Sequence, residues 1–85
     1  MKRIIVEDTE SGLESLLGER VLLLCANYFY EGVLEGVNET CVLLDDAKLV
    51  YETGSWTDKG YTDAQSLPSK WYIATAFIES FGRSK

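Results

Sequence analysis

The chain has 85 residues, 14 of them acidic and 8 basic, giving a formal net charge of −6. One domain fits that length and two do not, and so acidic a balance argues against broad electrostatic capture of nucleic acid, whose phosphates call for Lys and Arg. Histidine is absent and the two cysteines stand apart, which excludes a closed Cys/His zinc site.

A domain this small buries only about 60–65% of the surface its unfolded chain exposes, so it needs a supplement such as a disulfide, a metal or self-association. No apolar run approaches the roughly 20 residues that span a bilayer. The opening MKRIIVEDTE turns acidic too soon for a secretory signal, so the expected location is the cytoplasm. In that reducing compartment Cys25 and Cys41, both within apolar runs, read as two buried thiols and not as a disulfide. Self-association is the supplement that remains.

In chain order, Ile4, Ile5 and Val6 form a short apolar opening. Residues 11–17 read as a brief helix: Ser11 and Glu14 have the spacing of a capping box, Leu13, Leu16 and Leu17 share one face, and Gly18 ends it. The period then changes to two. Val21, Leu23 and Cys25 alternate with Leu22 and Leu24 in a strand covered on both faces. After a turn at Asn27, Tyr28 to Val37 is a second strand, whose interior Gly32 and Gly36 signal a sharp bend or a close backbone approach. Asn38-Glu39-Thr40 turns the chain into a third strand, Cys41 to Leu44, with a resumption through Leu49, Val50 and Tyr51 after Asp45-Asp46. Residues 53–69 are a polar, variable loop with a hairpin tip at Asp58-Lys59-Gly60. Trp71 to Ile78 is the fourth strand, and a short fifth ends near Phe81. The predicted fold is mostly β: a short N-terminal helix and then a small, strongly bent five-stranded antiparallel barrel, in one domain spanning 1–85.

On these residues the chain resembles the Sm and Sm-like proteins over most of 11–81. In the family's first motif, alternating apolar residues lead to an aromatic, then G-x-L, a turn and L-x-D-A. Here Val21, Leu23 and Cys25 lead to Tyr30, Gly32, Leu34, Val37-Asn38 and Leu44-Asp45-Asp46-Ala47. The second motif, I-R-G-x-x-I-x-x-I, is answered by Ile73, Ile78 and Phe81. The resemblance implies a small SH3-like barrel and a ring of identical subunits joined by edge-strand pairing. It does not bring the family's uridine pocket. Asn38 stands in place of the pocket's Asp, Cys41 or Val42 in place of its Asn, and Ala74-Thr75 in place of its Arg-Gly. A histidine-free chain also lacks the Tyr-Lys-His-type signature of the Hfq variant.

Among the aromatics, Tyr30, Trp71, Phe77 and Phe81 read as core or subunit interface. Trp56 and Tyr61 flank Lys59 in the polar loop, the pattern of stacking rings beside a cation found in single-strand binders, although such rings also pack across hairpins. The nucleic-acid-binding candidates are therefore Asn38, Thr40, Trp56, Lys59 and Tyr61. Lys2, Arg3, Arg83 and Lys85 form solvated ends, or a local basic patch if a ring gathers them on one face. Asp45 and Asp46, adjacent on a strand, point to opposite faces and do not converge on Mg²⁺. With no histidine and no thiolate beside a cation, no enzyme is expected, and no cofactor. The expected partners are the chain itself and single-stranded RNA or DNA, or alternatively proteins held on a non-enzymatic scaffold. No membrane partner is expected.

Overall fold

In the computed structural model, which describes residues 11–85, the change of period at Gly18 is the change from helix to sheet. Helix α1 is short, Ser11–Glu14. The predicted stretch to residue 17 continues only as tighter turns, Leu16 N–H donating to Leu13 O (2.9 Å) and Leu17 N–H to Glu14 O (3.2 Å). Two local features explain the early end. The Ser15 hydroxyl donates to Gly12 O at 2.7 Å, the side-chain competition that erodes helices, and Gly18 has a φ of +86°. The Ser11 side chain of the capping box, the Ile4–Val6 opening, Lys2 and Arg3 lie outside the described side chains.

Six strands follow: β1 (Arg20–Cys25), β2 (Phe29–Val37), β3 (Cys41–Glu52), β4 (Asp63–Ser66), β5 (Trp71–Ala74) and β6 (Ile78–Arg83). All pairings are antiparallel. β1, β2 and β3 form a meander, β6 adds to the free side of β1, and both β4 and β5 lie along the far side of β3. β3 runs unbroken through Asp45-Asp46, where the sequence suggests a pause. The ladder absorbs the irregularity as a register shift between Glu31 and Val33, with Asp46 at a φ of +48°.

Two strand predictions need correction. The loop assigned to 53–69 contains β4, and the fourth strand stops at Ala74 because Thr75–Phe77 is a 3₁₀ turn. Leu67 N–H still bonds Ala47 O at 2.8 Å. Pro68, the next residue, has no N–H to give, so the strand along β3 is split into β4 and β5.

The expected five-stranded barrel is likewise not observed: the strands number six and form an open sheet. β5 and β6 sit on opposite borders and are joined directly by the 3₁₀ turn, with no ladder between them among the described residues. Three residues suffice to carry the chain from one border to the other only because the register shifts in β1–β6 and β2–β3 bend the sheet strongly.

Val21, Leu23, Leu34, Val42 and Leu44 are fully buried, and Leu16, Cys25, Ala47 and Ile73 complete the core. Each such aliphatic side chain contributes about 1.5–3 kcal/mol over an exposed one. Leu22 is buried apart from this cluster, so β1 is covered on both faces as its sequence predicts. Tyr30 and Trp71 pack on the core, whereas Phe77 and Phe81 lie at the surface. No helix among the described residues is long and apolar enough to cross a membrane.

Candidate functional site

The turn between β2 and β3 is built by Asn38. Its Oδ1 accepts from Thr40 N–H (2.8 Å), Cys41 N–H (2.9 Å) and the Thr40 hydroxyl (3.1 Å). This local capture of backbone donors is what favours Asn in turns, and it leaves both side chains engaged within the turn. The 3₁₀ turn docks against the same place: Thr75 N–H donates to Thr40 O at 3.0 Å and its hydroxyl to Glu39 O at 2.9 Å. A hollow of about 580 Å³ opens beside them, lined by Leu13, Glu14, Val37, Glu39 and Phe81 with the turn residues. Among the described residues two carboxylates and no basic side chain line it, a poor reception for phosphate.

Trp56, Lys59 and Tyr61 lie beyond the other end of β3, in the loop that joins it to β4. The five candidates are thus two separate groups. The loop is stiffened by the Ser55 hydroxyl, 2.8 Å from that of Thr57, and by Asp58 N–H donating to Ser55 O (3.0 Å). Gly54 has a φ of +69°, and a side chain there would run into the Thr62 hydroxyl. The loop's hydrogen-bonded turn is Ser55–Asp58, just ahead of the predicted tip at Asp58-Lys59-Gly60, and the cation beside the rings is Lys85 and not Lys59. The Lys85 ammonium lies 4.9 Å from the centre of the Tyr61 ring and 5.6 Å from that of Trp56. It also donates to Thr53 O (2.5 Å) and Ser55 O (2.7 Å).

What brings Lys85 there is the continuation of β6 past its last strand residue. Ser84 N–H donates to Arg20 O at 2.9 Å, and its hydroxyl donates to Glu31 Oε2 at 2.8 Å. Because that single proton goes to the carboxylate, the Tyr61 phenol, 2.7 Å away, is the donor to Ser84. Glu31 is only 3% exposed. Its other oxygen accepts from Arg20 Nη1 at 2.5 Å, and Arg20 Nη2 reaches Asp46 Oδ2 at 2.6 Å. Burial alone would lower the Arg20 pKa, but the hydrogen bonds to Asp46 and Glu31 hold it above its ordinary value. Asp46 is therefore a partner of Arg20. Arg83 is similarly engaged by Glu19 at 2.9 Å, whereas Lys85 meets neutral carbonyls and rings.

A third feature was not singled out in the sequence. Tyr28, Tyr30, Tyr72 and Phe77 surround an open hollow of about 320 Å³ with Cys25 and Asn27 in its wall. Burial, with Glu79 nearby, pushes the Cys25 thiol above its usual pKa, and burial does the same to the Tyr30 phenol, so neither is an activated nucleophile at neutral pH. Both cysteines are free thiols, Cys25 buried and Cys41 half-buried.

The chain matches no known family model and no characterised protein.

Proposed function

We propose that this chain is a non-enzymatic Sm-like subunit that joins copies of itself edge to edge into a ring, and that the ring is a scaffold for protein partners. The observation that carries the reading is the pair of open sheet borders and what stands on them. Among the described residues the outer sides of β5 and β6 have no strand beside them. Tyr72 on β5 is 67% exposed, Phe77 in the 3₁₀ turn 62% and Phe81 on β6 41%. Bare N–H and C=O rows with aromatics beside them suit a heterologous, closing contact in which one copy's β5 meets the next copy's β6. The meander carrying Gly32-x-Leu34, and the docking of Thr75 on Glu39 O and Thr40 O beside Asn38, support the Sm-like part. These two segments are where the resemblance puts the family's ligand loops. The proposed setting is the cytoplasm, where free thiols stay reduced.

Sedimentation tests assembly. The wild-type chain should run as a species of several subunits at micromolar concentration. Tyr72→Lys, placing a charge in the contact, should weaken association by about tenfold or more without loss of β signal in circular dichroism. A folded single subunit at every concentration ends the proposal.

A second reading, single-stranded RNA or DNA as the ligand, is favoured by one feature: the Trp56 ring is 61% exposed, open to a stacking base worth about 1–3 kcal/mol. If it holds, short oligonucleotides bind at low salt, binding falls as salt rises, and Trp56→Ala abolishes it. Absence of binding at low salt removes this reading and leaves the scaffold.

A further inference from the structure

We propose that the loop spanning residues 53–62 is a receptor for a lysine ammonium: it holds Lys85 in cis and accepts the lysine side chain of a basic protein partner when Lys85 withdraws. The inference names a chemistry for the scaffold's partner. It resides within one subunit, so it stands or falls separately from ring formation.

Four groups of the loop converge on one cation. Thr53 O and Ser55 O accept from the Lys85 ammonium at 2.5 and 2.7 Å, and the Tyr61 and Trp56 rings lie 4.9 and 5.6 Å from it. Ring faces attract a cation within about 6 Å through their quadrupole, and carbonyls take two of the ammonium's three protons. Two features hold the acceptors and one ring in place. Gly54, at a φ of +69° where an added side chain would meet the Thr62 hydroxyl, turns the chain between the two acceptor residues Thr53 and Ser55, and Tyr61 is fixed by its bond to Ser84. Trp56, 61% exposed, gives access from solvent. Glu52, Asp58 and Asp63 outnumber Lys59 over residues 52–63, so the local charge favours a cation.

The same geometry sets the specificity. A compact ammonium with rotatable protons satisfies two carbonyls and still meets both rings, whereas a planar guanidinium has its donors fixed in a fork. A trimethylated lysine keeps the charge but has no N–H for Thr53 O and Ser55 O. An acetylated lysine has lost the charge.

The test titrates Lys85→Ala with a short capped peptide containing one lysine, following the Trp56 indole N–H by NMR. The wild-type chain is titrated in parallel. Saturable shifts are expected in Lys85→Ala. Binding should be about tenfold weaker in wild type, where the tethered lysine competes at a high effective concentration. It should also be about tenfold weaker for the trimethyl-lysine peptide, and absent for the glutamine peptide. Trp56→Ala in the Lys85→Ala background should weaken binding by about tenfold. Equal response to lysine and glutamine peptides, or binding indifferent to Trp56, overturns the proposal. If Lys85→Ala loses its fold, n-butylammonium chloride is titrated into the wild-type chain, where it should displace Lys85 and shift the same indole signal. No displacement overturns the proposal equally.

Discussion

Arg20→Met should lower the unfolding free energy by about 3 kcal/mol, the low end of the cost of leaving a buried ion without its partner. The low end applies because Arg20 is itself about a third exposed, at 35%. The substitution keeps the side chain's reach and removes its charge, leaving the Glu31 carboxylate, 3% exposed, with only the Ser84 hydroxyl as a partner. Glu31→Gln should cost less, about 1 kcal/mol, because Arg20 keeps Asp46 and reaches solvent. Urea unfolding of the two variants decides the matter. Equal losses would mean that the buried carboxylate does not depend on Arg20. A double-mutant cycle between Arg20 and Ser84 should show non-additivity, since both donate to Glu31.

Gly32→Ala is the second large effect, about 2–3 kcal/mol of destabilisation. An added methyl would meet Asp45 O at 2.9 Å, Ala47 Cα at 3.2 Å and Leu44 Cβ at 3.2 Å. Two of the three are backbone atoms in the bulge of β3, and backbone cannot turn aside as a flexible side-chain end can. Gly36, four residues on in the same strand, is the control: its nearest neighbour is Leu43 Cβ at 3.7 Å, an ordinary contact. Gly36→Ala should be neutral or raise stability by about 0.5 kcal/mol, because alanine loses less backbone freedom on folding. Thermal unfolding of the two variants should move in opposite directions or differ by several degrees. A tolerated Gly32→Ala would mean that β2 and β3 separate here more easily than their contacts imply.

The fold was legible where one residue's chemistry dominates its surroundings. Val21, Leu23 and Cys25 announce a buried strand by period alone, and Asn38 announces a turn because its amide oxygen competes for nearby backbone donors. Gly32 announces close approach, because only glycine fits there. The rest depended on pairing across long sequence separations, which no local pattern encodes. That Asp63–Ser66 would form a strand is decided by β3 beside it, since three of its four residues are polar and all four are exposed. The 3₁₀ turn at Thr75 exists because Thr75 bonds to Thr40 O and Glu39 O, some 35 positions earlier. Among the candidate site residues, Trp56 and Tyr61 were found as rings in a polar loop. Their cation was sought in the nearest lysine, Lys59, whereas the sheet delivers Lys85. The signal available in the sequence was the lysine following the last strand, and reading it required knowing that β6 lies against β1. Asn38 and Thr40 were rightly placed in a turn, where Asn38 Oδ1 accepts three bonds within the turn itself.

The pairing of the last strand with the first has a consequence for synthesis. Val21 stands opposite Arg83 and Leu23 opposite Phe81, so a ribosome must translate through β6 before β1 can be covered on its free side. Until then the nascent protein carries a hydrophobic strand with an unfilled border, the state most open to mispairing with another polypeptide. Closing a loop of that length before its contacts form also makes such topologies slow to fold. A β6 released from one finished molecule fits that vacancy in another, so exchange of this strand between copies is the misassembly to which the architecture is most exposed.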